Sequence, residues 1–260
     1  MRSQATGSAS HSGQHDLAPA SSDRADRTRT RILLGAVRHF SQYGLAGARM
    51  DAIAKAAGVN KALLYYYFQS KGGLYAAALE DAAERVVESA FASLKSGKTA
   101  GENLLRLVLN HFDRISSQRE FQSLMQQEMV RFHRGESNMM SSLARSLYNP
   151  LLKQVQSVVS DGIRSGELCE VDWTQVLYAA LGANVFYFLS APIMRAALEF
   201  EPFDRSALET RRKAAVEFLG QALFRDRAYG TRLARRVLAE MPPPKFSPKW
   251  KGLALGRKFS

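Results

Sequence analysis

The chain has 260 residues, 46% of them apolar and 23% charged, which suits a soluble globular protein of one large or two small domains and excludes a fibrous or wholly disordered one. Its single cysteine, Cys169, excludes an internal disulfide framework. The formal net charge of +12 points to a polyanionic partner, usually nucleic acid or an acidic membrane surface.

The charge is segregated. Residues 23–75 hold nine Lys and Arg against three Asp and Glu, residues 76–224 hold sixteen against eighteen, and residues 225–260 hold ten against two. Two basic ends therefore flank a near-neutral middle. Residues 1–22 are rich in Ser, Ala, Gly and His with a single Leu, so they are expected to form a disordered arm, and they lack the apolar core of a signal peptide. From Asp23 a helical period begins, with Ile32, Leu33, Ala36, Val37 and Phe40 at steps of three and four, and Gly44 suits its end. A short helix Met50 to Ala57 follows, stopped by Gly58. Asn60 is placed to cap the next helix, Lys61 to Phe68, and Ser70 to cap another from Lys71.

Two short helices joined by a Gly-centred turn are what a helix-turn-helix requires. The motif spans about 49–69. Ile53, Ala54, Val59, Leu64 and Phe68 are expected to face inward, leaving Lys61, Ala62, Tyr65, Tyr66 and Tyr67 for the side that enters the major groove, with a half-core position as the alternative for Tyr67. Three consecutive tyrosines cannot share one helix face, because each step turns about 100°. At least one must point outward, where its hydroxyl can donate to a phosphate. Arg49 and Lys71 complete the expected DNA contacts. Arg24, Arg27, Arg29 and Arg31 read either as a solvated basic arm or as phosphate contacts.

Further helices are expected at about 99–116, 119–133, 138–164, 172–197 and 205–224, with no strand pattern anywhere, and one more helix is allowed up to about Glu240 before Pro242-Pro243-Pro244. The fold expected is all-α, an N-terminal three-helix helix-turn-helix domain plus a C-terminal helical domain for ligand binding and dimerisation. The domain divisions expected are 1–22, 23–75, 76–224 and a basic extension 225–260. Residues 173–194 carry no charge and are long enough to span a bilayer. Their Thr, Gln, Asn, Ser and Pro residues favour instead a helix shared between core and subunit interface, with no membrane. Val176, Ala180, Ala183 and Tyr187 form one stripe on it, Leu177, Leu181, Val185 and Phe188 another. Ala214, Phe218 and Ala222 offer a close-packing face on the helix after it.

Met125, Met129, Phe132, Tyr148, Asn184, Tyr187 and Phe188 are candidates to line an adaptable apolar pocket, with plain core as the alternative. A buried Asn184 reads equally as a ligand or register contact and as a core Asn bonded to backbone. No phosphate-cradling Gly-rich loop, nucleophile–base pair or metal-ligand spacing is present, so neither an enzyme nor a cofactor is expected. His11 and His15 sit in the arm, and His39, His111 and His133 have no paired ligand nearby in sequence.

The string Ile53-Ala54, Ala57-Gly58-Val59-Asn60-Lys61, Leu64-Tyr65-Tyr66-Tyr67-Phe68, Ser70-Lys71 and Leu74 resembles the N-terminal domain of the TetR family of transcriptional regulators over residues 27–75. Two positions depart from the family pattern. Ala48-Arg49 stand where Thr or Ser is usual, and Gly72-Gly73 where Glu or Asp is usual. The resemblance implies a cytoplasmic homodimer on a palindromic double-stranded DNA operator. It also implies a variable helical domain that binds a small effector of unknown identity, and a four-helix dimer interface from about 172–197 and 205–224. The function expected is a repressor released by a small apolar effector. The alternative is an architectural DNA-binding protein that needs no effector.

Overall fold

A computed structural model describes residues 19–198 and 200–244. Among the described residues every regular element is helical, and one isolated bridge joins Leu168 to Phe224. The expected arm falls mostly outside the described residues, as do His11 and His15. Helix α1 (Pro19–Gly47) starts four residues ahead of the expected onset and is interrupted at Gly44 (φ 67°, ψ 177°), a conformation that glycine adopts without strain.

Helices α2 (Met50–Ala57), α3 (Lys61–Phe68) and α4 (Lys71–Ser93) complete the head. Two eight-residue helices are too short to persist alone, so tertiary contacts and caps must hold them. Ile32, Leu33, Ala36 and Phe40 of α1 are fully buried against Ile53, Leu64 and Leu74. Gly58 closes α2 in the left-handed conformation (φ 65°, ψ 38°). The Asn60 side chain accepts from the Leu63 amide at 2.8 Å and Ser70 Oγ from the Gly73 amide at 2.9 Å, each contributing about 1 kcal/mol. A Cβ on Gly73 would collide with the Phe68 carbonyl. Glycine at this departure from the family pattern is therefore what lets α4 abut the end of α3. No comparable reason exists at Gly72, where a Cβ would meet only Ser70 Oγ, at an ordinary contact distance of 3.8 Å.

The remaining helices are α5 (Ala100–Ser117), α6 (Arg119–His133), α7 (Met139–Leu143), α8 (Asn149–Arg164), α9 (Trp173–Leu177), α10 (Ala183–Leu198), α11 (Arg205–Ala222) and α12 (Arg227–Glu240). Single π turns at Ala144–Tyr148 and Tyr178–Gly182 interrupt the two long helices expected at 138–164 and 172–197. The division expected after residue 75 falls inside α4, which runs on unbroken. Leu124 of α6 and Leu143 of α7 belong to the core of the head. Beneath them Tyr75 donates to the buried Glu128 carboxylate (2.9 Å), which also accepts from Arg131 (2.8 Å).

The C-terminal side differs from the sequence reading. A basic extension was expected after a core complete near Phe224, but Leu233, Ala234 and Val237 of α12 are buried in the second core beside Val216, Leu219 and Phe224. Gly220 and Gly230 make the close approach possible, since a Cβ on Gly220 would lie 2.7 Å from the Gly230 carbonyl oxygen. The end of α12 is tied down by ions. Glu102, almost fully buried, accepts from Arg106 and Arg236, and Arg212, paired with Asp113 at 2.7 Å, also donates to the Met241 carbonyl. The sequence allows a helix up to about Glu240 but does not reveal its burial, because Arg227, Arg232, Arg235 and Arg236 make the stretch basic by composition. Lys245, Lys249, Lys251, Arg257 and Lys258 lie outside the described residues.

Candidate nucleic-acid interface

Helix α3 packs Leu64 and Phe68 inward. At 100° per residue, that leaves Lys61, Ala62, Tyr65 and Tyr66 on the opposite side, and all four are exposed, Tyr66 at 80%. Tyr67 turns inward: it packs on the head core and meets the Tyr66 ring edge-on at 5.4 Å. Its position braces Tyr66 rather than presenting a third free ring beside Tyr65 and Tyr66. Arg49 occupies the N-cap position of α2, exposed and with no capping bond from its side chain. Lys71 is partly buried and donates one of its hydrogens to the Ala46 carbonyl at 2.8 Å, leaving two donors for another acceptor.

Sequence reading missed Asp51. Its carboxylate lies 3.1 Å from Lys61 Nζ, with both side chains exposed. A pair ten residues apart across a turn follows no helical period, so only the folded motif reveals it. Gln69, between α3 and α4, has φ 61°, an uncommon value for a residue with a Cβ.

The candidate pocket residues do not converge. Met125 and Tyr148 pack on the head core, with Tyr148 Oη 4.0 Å from Met125 Sδ. Burial pushes the Tyr148 phenol up to about 12. Met129 and Phe132 are exposed, at 47% and 39%. Asn184 is fully buried, donates to the Val108 carbonyl (3.1 Å) and accepts from Arg211 (3.4 Å). Tyr187 donates to the Pro202 carbonyl (2.6 Å), and Phe188 stacks on Phe203. Beside Asn184, burial pulls the His111 imidazole down to about 4. What the structure assembles instead is a wholly apolar seam among α5, α8, α11 and the π turn, lined by Leu104, Val155, Val176, Leu181, Leu219 and Phe224 and holding a void of only about 10 Å³, about one water. Such aliphatic residues carry no sequence mark that separates a cavity wall from core.

On the outer surface, Tyr178, Phe186, Leu189 and Ile193 stand on one side of α9–α10, exposed like Phe218 of α11; Phe186 is 68% and Phe218 67% accessible. This is not either stripe expected from sequence, since Val176 and Ala180 face the core. Ala214, Phe218 and Ala222 are exposed together as anticipated.

A capped helix-turn-helix carrying an exposed, basic and aromatic second helix, seated on a helical bundle, defines a DNA-binding regulator. Comparisons with known proteins narrow the class. Residues 32–78 match the family of bacterial regulatory proteins named tetR, and residues 101–219 match the tetracyclin repressor-like C-terminal domain. The HTH-type transcriptional regulator RutR of Escherichia coli is 25% identical over 190 residues, 72% of this chain and 87% of its own length. The HTH-type transcriptional repressor NicS of Pseudomonas putida is 46% identical over 57 residues, 22% of this chain and 27% of its own. Among solved structures, a transcriptional regulator from Saccharomonospora viridis in complex with choline is similar with a TM-score of 0.61 at 18% identity, covering 76% of this chain and 98% of that one. A TetR transcriptional regulator from Chloroflexus aurantiacus gives 0.59 at 20% identity, covering 78% and 98%. The chain belongs to the TetR family of bacterial transcriptional regulators.

Proposed function

We propose that this regulator is a repressor that binds a palindromic double-stranded DNA operator as a cytoplasmic homodimer and leaves it when a small apolar effector enters the bundle. The observation that carries the reading is the outward face of α3, where Lys61, Ala62, Tyr65 and Tyr66 are exposed together while Leu64 and Phe68 lock the helix from behind. In this assignment Arg49 and Lys71 flank the groove contacts and Tyr67 supports Tyr66. Residues 23–75 read DNA, and residues 76–224 provide the effector site and dimer contact, with α12 as an added brace.

Dimerisation is supported by the exposed apolar side chains Tyr178, Phe186, Leu189, Ile193 and Phe218, since clustered exposed apolar residues mark interaction sites. The stretch Trp173–Leu198 is apolar enough to cross a membrane. A dimer contact suits it better than a span, because its other side packs Val176, Ala180, Asn184, Phe188 and Ala191 inside the chain. Two-fold symmetry then calls for half-sites about one helical turn or more apart. For the effector, the apolar seam and its π turn support an apolar molecule that must prise the helices apart, and the Saccharomonospora viridis regulator of similar fold is solved in complex with a small molecule, choline.

The same small void favours a second reading, an architectural DNA binder without an effector. Lys61→Ala with Tyr66→Phe tests the core of both: operator affinity should fall, and the log–log salt slope should flatten by about one unit as one phosphate contact is lost. Unchanged affinity and slope in a gel-shift titration overturn the assignment. Screening apolar compounds for release of bound operator separates the two readings.

A further inference from the structure

Between Asp26 and Glu80 the chain holds eight Lys and Arg and a single acid, Asp51. That acid stands exposed in the first turn of α2. The helix dipole favours a carboxylate at this end, which accounts for the residue type but not for where its side chain goes. Lys55 lies one turn further along the same helix, at the spacing where an Asp–Lys pair forms readily, yet it makes no ion pair among the described residues. Asp51 crosses the turn to α3 instead: Lys61 Nζ lies 3.1 Å from its Oδ1 and donates to its Oδ2 at 3.3 Å.

Lys61 is the first residue of α3 and the one cation on its outward face, beside Ala62, Tyr65 and Tyr66. The carboxylate takes up part of its three-donor capacity and cancels its charge. Both side chains remain open to water, so the pair contributes little to stability and is easily exchanged for another. The ion pair is thus poorly placed to hold the fold and well placed to govern what Lys61 offers to a ligand.

Binding to unrelated DNA is almost wholly electrostatic, and in such a complex no phosphate is fixed against a particular side chain. A lysine neutralised by its own carboxylate adds little there. With α3 seated in its groove a phosphate is held in one position, and Lys61 can exchange the carboxylate for it. We propose that Asp51 is a specificity-determining residue: by withholding Lys61 until α3 is seated, it suppresses binding to unrelated sequence more than binding to the operator. Specificity is a difference of two affinities, and weakening the unwanted one serves it as well as strengthening the other. Asp51 touches no DNA in this assignment and acts through Lys61.

This inference rests on the DNA-binding reading of α3, and its test keeps the two apart. The full chain and its Asp51→Asn variant, which keeps the size and removes the charge, are titrated across salt on two duplexes. One has random sequence, and the other is the tightest that the parent selects from a randomised pool. On random DNA the affinity should rise roughly threefold to tenfold at low salt, and the log–log slope should steepen by about one unit as Lys61 releases a further counterion. On the selected duplex affinity and slope should stay close to those of the parent, so the ratio of the two affinities falls. In a Lys61→Met background Asp51→Asn should change neither duplex. Glu170→Gln, which removes an exposed carboxylate of the bundle, should behave as the parent. Loss of a carboxylate that served only the stability of α2 would not raise affinity for random DNA. An unchanged or lower affinity for random DNA overturns the inference. So does an equal rise on both duplexes, or an equal rise without Lys61, which would mean bare charge rather than a withheld lysine. If Lys61→Ala with Tyr66→Phe weakens binding to the selected duplex while Asp51→Asn changes nothing, the role of Asp51 alone is refuted. If neither variant changes binding, the α3 reading itself fails.

Discussion

The head and the bundle are built from the same element by different means. In the head, α2 and α3 are eight residues each, and their ends are set by named local devices: Gly58 in the left-handed conformation, Asn60 and Ser70 as caps, and Gly73 where a side chain would strike Phe68. In the bundle, α5, α9 and α12 also have side-chain caps, at Thr99, Asp172 and Asp226, but α8 and α10 continue from π turns without one. If α3 presents Tyr66 and Lys61 to DNA as proposed, a surface of fixed geometry benefits from the first kind of construction. A seam proposed to admit a ligand would benefit from the second, since π turns mark places where a helix is not held in one ideal form.

The largest effect should come from the bundle's tightest contact. Gly230→Ala puts a methyl group against the Gly220 backbone, where no flexible side chain can yield, and should cost about 3 kcal/mol or more. Calorimetry should show the melting temperature lowered by roughly 6–12 °C. If the variant, kept well below its transition, still binds operator as the parent does, the head is independent of the α11–α12 contact. An equal loss of DNA affinity would erase the division between the two regions.

Next in size is the assembly. Phe186→Asp with Phe218→Asp places two charges on the exposed apolar face and should leave a folded monomer in sedimentation at micromolar concentration. Operator affinity should fall about 100-fold, as the two half-sites lose their linkage. A dimer that persists would place the interface elsewhere.

A smaller effect concerns the imidazole under α10. His111 falls from its ordinary 6.5 to about 4 because burial disfavours the charged ring. The unfolded chain therefore binds more protons between those values. The stability that the neutral ring contributes is complete above pH 6.5 and is lost as pH falls towards 4, at up to about 1.4 kcal/mol per pH unit. His111→Gln should flatten that slope in urea titrations run between pH 7 and pH 5. Parallel slopes for parent and variant would show that the ring is not the titrating group. The smallest change belongs to the head: Gln69→Gly should stabilise by about 1 kcal/mol, because glycine accepts φ 61° without strain. A loss of stability there would mean that the side chain contributes more than its backbone costs.

The sequence by itself determined whatever depends on neighbours along the chain. Helical periods placed α5, α6 and α11 within a residue or two, and Gly58, Asn60 and Ser70 announced the turn and caps of the motif. The inward set Ile53, Leu64 and Phe68 followed from spacing, and with it the outward Lys61, Ala62, Tyr65 and Tyr66. The tertiary structure alone decided what depends on distant parts of the chain. It chose the half-core alternative for Tyr67, gave Lys71 a carbonyl of α1 and gave Lys61 the Asp51 carboxylate. It dispersed Met125, Met129, Phe132, Asn184 and Phe188 among separate surroundings, and it chose Tyr178, Phe186, Leu189 and Ile193 as the outer face. A period shows that a helix has an apolar side. It does not show which of several apolar sides meets the core, because burial is a property of the packed neighbours, and α12, basic by composition yet seated between α11 and α5 through two glycines, owes its place to them.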